Sequence, residues 1–550
     1  MSRALDQFFA NYYRRRPVTA TFTGVHHYDP ELPDWSAAGL ATLDAEMRTI
    51  SERLSAEHPM PPSVSMLKQD VDSMDAELAR RFLEIQCAEN EWVHGVRGNP
   101  SLWVGEAVFG VISLMIRDFA PVESRMKSAA KRLAAIPKFL ATARKTLTFD
   151  TPAMWTAKAK RECEGAAILA SRGVDKWIAC FSPTKQTAQL LRDASANAHA
   201  AFVEFSSWLD ARRASPDSAM SVGASNYAFL LERGHWCDQS RTTLLASARH
   251  ELVDAKQRLR DAAAGPWPAV QEQLASKHPS PDDYFASFER VWLECRALAS
   301  EKDVVTWGDW PLRYVPYPEW TAESAPFLYY LFYRSPAPLD SFEIYDYVVP
   351  PLPADPEPHL RAWNDSVIKL NHVVHHGAIG HHVQNWHAST RAQSRIGRIA
   401  AVDCANRVAM LSGATMAEGW ACYSTRLMEE LGFLDPLEQV SEAHSRVRFL
   451  SRAIVDIELH QGSMSFDDAV RFWTDNVGGS VDVAKNEVVK VSMFPCTAII
   501  YWLGTEGIVA LRSKLERDPA FSLKQFHDDL LDFGSIPIPL IAQLMTSVAQ

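Results

Sequence analysis

The sequence predicts a mainly α-helical fold, with a few short strands confined to one proline- and aromatic-rich stretch. Three observations lead there. Residues 40–54, 74–87, 124–146, 187–214, 241–262 and 281–300 carry apolar side chains at three- and four-residue spacing, with charged residues between them and turn signals after them. No sustained alternation of period two supports a sizeable sheet. Internal repeats and low-complexity tracts are absent from the chain.

The exception to the helical pattern is the middle, 307–358, with WPLRYVPYPEW, FLYYLFYRSPAP and YDYVVPPLPADPEP. Its prolines forbid long helices. The tyrosine and phenylalanine runs between them predict two or three short strands. A flexible linker would be polar, so this aromatic stretch is expected to pack near the functional cleft. A soft boundary near Ser300 then divides an amino-terminal helical region, 1–300, from a carboxy-terminal helical region, 301–550, that carries the chemistry. One continuous fold is the alternative.

Composition narrows the function classes. The 550 residues are 47% hydrophobic and 22% charged, ordinary values for a chain with a large core. A net charge of −11 with no offsetting basic cluster argues against nucleic acid or an anionic membrane as partner. The amino terminus, MSRALDQFFANYYRRRP, has no apolar core with a small-residue cleavage site. The longest apolar run, near VFGVISLMI, is about half of what spans a bilayer. The eight cysteines are scattered without a CxxC pair, as expected of reduced thiols in the cytoplasm.

The chemistry concentrates in HHGAIGHHVQNWH, 375–387, which holds five of the 18 histidines. Residues 363–388 read as one partly buried helix loosened by Gly377 and Gly380. His372 and His376 have the i, i+4 spacing of paired metal ligands, about 40° apart on a helix, and His375 and His382 lie about 20° apart but two turns distant. His375 and His381 would lie about 120° apart on a regular helix. They converge only where the helix bulges or kinks, at Gly377-Ala-Ile-Gly380. A hydrogen-bonded or solvated histidine cluster is the simpler alternative. A metal reading accounts for the density, because imidazoles packed this closely must stay neutral.

HHGAIGHHVQ resembles the HExxPGHHxQ signature of the bacterial family named domain of unknown function 885, grouped with helical zinc metallopeptidases of the gluzincin kind. AEGWACYSTRLMEELG is similar to that family's EGWALYxExLxxELG. SRAIVDIELHQGSMSFDDAVRFW, KNEVVKVSMFPCTAIIYWLGTEGIVALR and FTGVHHYDPELPDWS resemble its further segments in the same order, so the likeness covers nearly the whole chain. The resemblance implies a large helical metallopeptidase-like fold with an active-site cleft. It also implies a divalent metal on His375, His381 and Glu418, zinc first, with manganese or iron also fitting.

The departures are informative. The family's glutamate base is His376 here, its proline is Ile379, and its PGQ is Pro495-Cys496-Thr497. A histidine, with an ordinary pKa of about 6.5, can act as a base or as an additional ligand. His372 and His382 are open as further ligands. His460, with Asp456 four residues earlier to orient it, and Tyr501 are candidate catalytic donors to an oxyanion. Arg313 and Arg334 are candidates for pairing with a substrate carboxylate, and Tyr317, Tyr329, Tyr330 and Tyr333 for lining the cleft. Together these residues imply a metal-dependent hydrolase acting on an amide or peptide-like bond of a small molecule, with peptidase activity itself weakened by His376. The alternatives are a non-hydrolytic metalloenzyme (lyase, isomerase or redox) of specialised metabolism, or a catalytically silent binding relative. Oligomeric state is not legible.

Overall fold

The computed structural model describes residues 2–263, 265–328, 336–405 and 407–546. The chain is mainly α, as its periodicity dictates. The expected helices appear with somewhat different ends: Ala37–Glu57, Val71–Glu89, Val122–Thr146, Lys185–Asp210, Arg241–Ala262 and Tyr284–Glu301. Their starts are written in the sequence, because Ser36, Asp70, Thr184 and Ser240 each accept a hydrogen bond from a backbone N–H of the first turn. The apolar run that fell short of a membrane span belongs to α1 (Pro100–Met115). This helix is buried along almost its entire length between α2 (Val122–Thr146), the helix Ala153–Ile168 and their neighbours.

The remaining elements that matter for the site follow in order. They are α3 (Arg241–Ala262), α4 (Tyr284–Glu301), β1 (Leu312–Pro316), β2 (Tyr345–Val349), a π-helix (Val367–Gly377), α5 (His381–Thr390), α6 (Ala414–Glu430), α7 (Pro436–His460), α8 (Val481–Met493) and α9 (Ile500–Leu515). β1 and β2 pair in parallel, Leu312 opposite Tyr345 through Pro316 opposite Val349. These two are the short strands expected in the aromatic middle. A second, two-residue pair joins Thr151–Pro152 to Ala214–Ser215, so the helix expected to reach 214 stops at Asp210.

The largest apolar core runs from Ala4 to Leu544 and draws on both sides of Ser300, joining Phe8, Leu78 and Trp292 to Val373, Trp420 and Ile541. Elements of the carboxy-terminal half are therefore buried against the amino-terminal helices. Within this core α6 crosses α9 at glycine. A Cβ on Gly419 would lie 2.6 Å from the Gly504 backbone, and one on Gly504 would lie 2.1 Å from the Thr415 carbonyl oxygen. Only paired glycines permit so close an approach of two helices. Gly419→Ala is expected to lower unfolding free energy by about 1–3 kcal/mol through overpacking, measured as a lower midpoint in chemical denaturation; an unchanged midpoint would mean that the helices can separate freely.

Candidate metal centre

The single helix expected over 363–388 is two helices. The first is wound as a π-helix to Gly377; the chain then breaks at Ala378 (φ −123°, ψ −123°) and Gly380 (φ −72°, ψ −118°) and restarts as α5 at His381. Across the break the backbone bonds are wider than α-helical ones, Ala378 N–H to Val373 O and Gly380 N–H to Val374 O. A Cβ on Gly380 would come within 2.0 Å of the His375 carbonyl oxygen, so the tight return of the chain requires glycine there.

A break in a buried helix exposes carbonyls that must find donors. The indole N–H of Trp292, on α4, donates to Gly377 O (2.8 Å). The indole N–H of Trp420, on α6, donates to Ile379 O (2.8 Å) and Gly380 O (3.2 Å). Trp420 lies two residues after Glu418, so the contact that satisfies the break also seats Glu418 against the histidines.

The result is convergence. His375, His376 and His381 each offer a ring nitrogen, all within 4.8 Å of one another. His375 Nε2 lies 3.4 Å and His381 Nε2 3.7 Å from the same oxygen, Oε2, of Glu418. Two ligands bound to one tetrahedral zinc at ordinary bond lengths sit about 3.3 Å apart, so the donor set matches such an ion in spacing as well as in chemistry. Burial, and then the neighbouring His375 and His381, push His376 well below its ordinary pKa; burial also takes His381 to about 4. For Glu418, burial acts upward. The hydrogen bond from His375 and the charges of His381, His375 and Lys490 outweigh it and hold the carboxyl at about 2.

The hydrogen bonds fix individual roles. His376 Nδ1 is 2.6 Å from Asn371 O, so it carries the proton and leaves Nε2 with its lone pair. The other histidines of the region are committed elsewhere. His382 Nε2 donates to Trp310 O (2.8 Å), His372 Nδ1 meets the Tyr347 hydroxyl (2.8 Å) under a stacked Trp363, and His387 bridges Thr306 O and Asp532. Neither His372 nor His382 belongs to the converging set.

Glu418 and Tyr501 line one small cavity, of about 120 Å³, with Arg452, Glu487 and Lys490. The Tyr501 ring is stacked on Phe449 (centroids 5.1 Å apart) and covered by the Arg452 guanidinium at 5.0 Å. His460 lies outside that lining. It is fully buried, donates from Nε2 to Val491 O and packs on His94 and Tyr227, and burial followed by His94 pushes its pKa to about 3. Asp456 does not orient it through a hydrogen bond. Its carboxylate accepts the N–H groups of Cys496, Ala498 and Ile499 instead, holding the turn in which Cys496 adopts a left-handed φ of 61°. Arg313 is exposed and engaged by Asp346 across the two strands. Tyr317 is half-buried, its backbone N–H bonded to Val349 O. Tyr329, Tyr330, Tyr333 and Arg334 fall outside the described residues.

Sequence reasoning missed Arg452, Glu487 and Lys490, the charged residues that line the cavity with Glu418 and Tyr501.

Comparison with known proteins adds the family and the fold. A family model described as "Bacterial protein of unknown function (DUF885)" matches residues 17–545. A solved structure of a candidate lipoprotein of unknown function from Shewanella oneidensis superposes with a TM-score of 0.74 at 19% identity, covering 99% of each chain. One of a candidate lipoprotein from Colwellia psychrerythraea gives 0.75 at 18% identity and 98% of each chain. No curated protein matches the chain.

Trp420→Phe removes the donor for two buried carbonyls while keeping an aromatic ring. It is expected to cost about 1–3 kcal/mol of stability, read in chemical denaturation; wild-type stability would mean that water serves those carbonyls equally well.

Proposed function

Because the chain belongs to the bacterial family of unknown function DUF885, and its site joins imidazoles to a carboxylate, we propose a metal-dependent hydrolase acting on an amide or peptide-like bond of a small substrate. The observation that carries the proposal is the convergence of His375 and His381 on one oxygen of Glu418. Two neutral imidazoles and an ionised carboxylate form the donor set of helical zinc hydrolases of the gluzincin kind and leave a fourth position open. A divalent ion held there supplies Lewis acidity toward an amide carbonyl and toward water.

The chain's own groups supply the rest. His376 stands where the HExxPGHH pattern has its glutamate. With Nδ1–H anchored on Asn371 O, its Nε2 accepts the proton of the attacking nucleophile. Tyr501, stacked on Phe449 and flanked by Arg452, donates its O–H to the oxygen on which negative charge develops. The cavity's small volume suits a small molecule. The eight cysteines are free, which suits the reducing cytoplasm we assign to the protein. Among the described residues no helix is long and apolar enough to cross a membrane.

One observation favours a second reading. His376 belongs to the same 4.8 Å cluster as His375 and His381, so it can complete a three-imidazole, one-carboxylate set of the kind that binds manganese or iron. That would suit a lyase, isomerase or redox reaction.

Elemental analysis of the purified protein is expected to find one divalent ion per chain, lost in His375→Ala and His381→Ala. Absence of stoichiometric metal, even after adding zinc, manganese or iron, would end both readings. Under the first reading His376→Glu keeps its zinc and gains hydrolysis of dipeptides or N-acyl amino acids. Under the second it binds its metal at least about tenfold more weakly.

A further inference from the structure

The cavity that Glu418 and Tyr501 line is too small to hold a whole substrate. Its volume of about 120 Å³ is the room of roughly four liquid waters, whereas sites that enclose a small molecule usually span about 300–1,000 Å³. A second cavity, of about 450 Å³, adjoins it. Glu487, Lys490 and Phe494 line both, so these three residues form the boundary that the two spaces share.

The larger cavity offers a ligand mainly hydrocarbon. Among the described residues its lining includes the apolar side chains of Met154, Ala157, Phe327, Leu328 and Val489. Its charged groups Lys158, Glu162, Arg161 and Glu487 already have protein partners. Lys158 pairs with Glu162, Arg161 donates to Pro326 O (2.6 Å), and Glu487 accepts two hydrogen bonds from Arg452 (3.0 and 2.8 Å). Removing apolar surface from water is therefore the gain open to a molecule that enters.

Phe494 stands at the junction, and the backbone around it is anchored. It follows the last residue of α8 and its N–H bonds to Val491 O (3.2 Å), while its carbonyl accepts the Thr497 hydroxyl (2.5 Å). Thr497 belongs to the turn whose N–H groups, at Cys496, Ala498 and Ile499, the buried Asp456 carboxylate collects. The turn that draws Asp456 away from His460 thus fixes a buried aromatic residue between the small cavity and the large one.

We propose that the substrate carries an unbranched apolar chain next to its reacting carbonyl, that this chain occupies the larger cavity, and that Phe494 is the specificity-determining residue that rejects branching where the two cavities meet. The placing of the carbonyl rests on the metal reading of the site; the binding of the chain does not.

Hydroxamates bind a zinc ion directly and so hold an acyl chain where that carbonyl would lie. Calorimetric titration of the zinc-loaded and the chelator-treated full chain uses three of them: acetohydroxamate, octanohydroxamate and the branched eight-carbon isomer 2-propylpentanohydroxamate. In zinc-loaded protein the octanoyl compound is expected to bind at least about tenfold more tightly than the acetyl one, a factor that burial of about two methylenes supplies. It should also bind at least about tenfold more tightly than its isomer, whose apolar content is the same. Ala157→Trp, at an exposed helix position where the larger residue fills the cavity, should bring the octanoyl-to-acetyl ratio close to one. Phe494→Ala should bring the two isomers to within about threefold of each other. An octanoyl compound no tighter than the acetyl one, isomers of equal affinity in the wild type, ratios that ignore both variants, or no binding at all would each overturn the proposal. If the octanoyl preference survives and responds to Ala157→Trp in protein that takes up no metal, the apolar cavity stands and the metal reading fails. If all three compounds bind equally, and only with zinc, the metal reading stands and the chain-binding cavity fails.

Discussion

The arrangement of the centre depends on an interrupted helix whose exposed carbonyls are capped by tryptophan. Inside a core, a chain break at Ala378–Gly380 would leave peptide groups without partners, a cost of several kcal/mol for unpaired amides. The indoles of Trp292 and Trp420 remove that cost, one from α4 and one from α6. Once the break is stable, His375 at the end of the π-helix and His381 at the start of α5 turn toward each other, ring centroids 4.9 Å apart. A continuous α-helix would have held them on different faces. π-type winding is characteristically found where a helix must redirect side chains for a function.

The second requirement is a carboxylate delivered at the right depth. Glu418 rides on α6, whose neighbours in sequence do the positioning: Gly419 lets α9 approach to backbone contact, and Trp420 binds the break itself. The crossing of α6 and α9 also brings Tyr501 to the cavity beside Glu418, which Arg452 of α7 and Lys490 of α8 line as well. The same packing buries the centre, which lowers the pKa of His376 and His381, while the neighbours of Glu418 lower that of its carboxyl, directions that suit a metal-binding donor set. The glycine pair and the indole contact thus act through the same stretch of α6.

Not every polar group of the carboxy-terminal half joins this centre. His460, Asp456 and Cys496 form a separate buried knot in which the Asp456 carboxylate collects three backbone N–H groups around a left-handed residue. His460 and Asp456 looked alike to sequence reasoning because i, i+4 spacing puts them on one face. In the fold that face meets the 496–499 turn, whose unpaired N–H groups compete for the carboxylate and win it.

The sequence by itself determined the mainly helical class, the position of most helices, the two short strands in the aromatic middle and the histidine-rich stretch. Each of these is local: periodicity, capping residues and prolines act within a few positions of themselves. It also singled out Glu418 through a resemblance of motifs, and Gly377–Gly380 as the place where the helix could bend. Tertiary structure alone decided which histidines converge and which turn away, with His375, His376 and His381 meeting while His372, His382 and His387 bond to Tyr347, Trp310 and Thr306. It alone assembled Arg452, Glu487 and Lys490 around the cavity that Glu418 lines. Those outcomes depend on partners up to eighty or more positions away, and a ring's direction is set by whichever distant carbonyl or hydroxyl packing brings within reach, which no local pattern encodes.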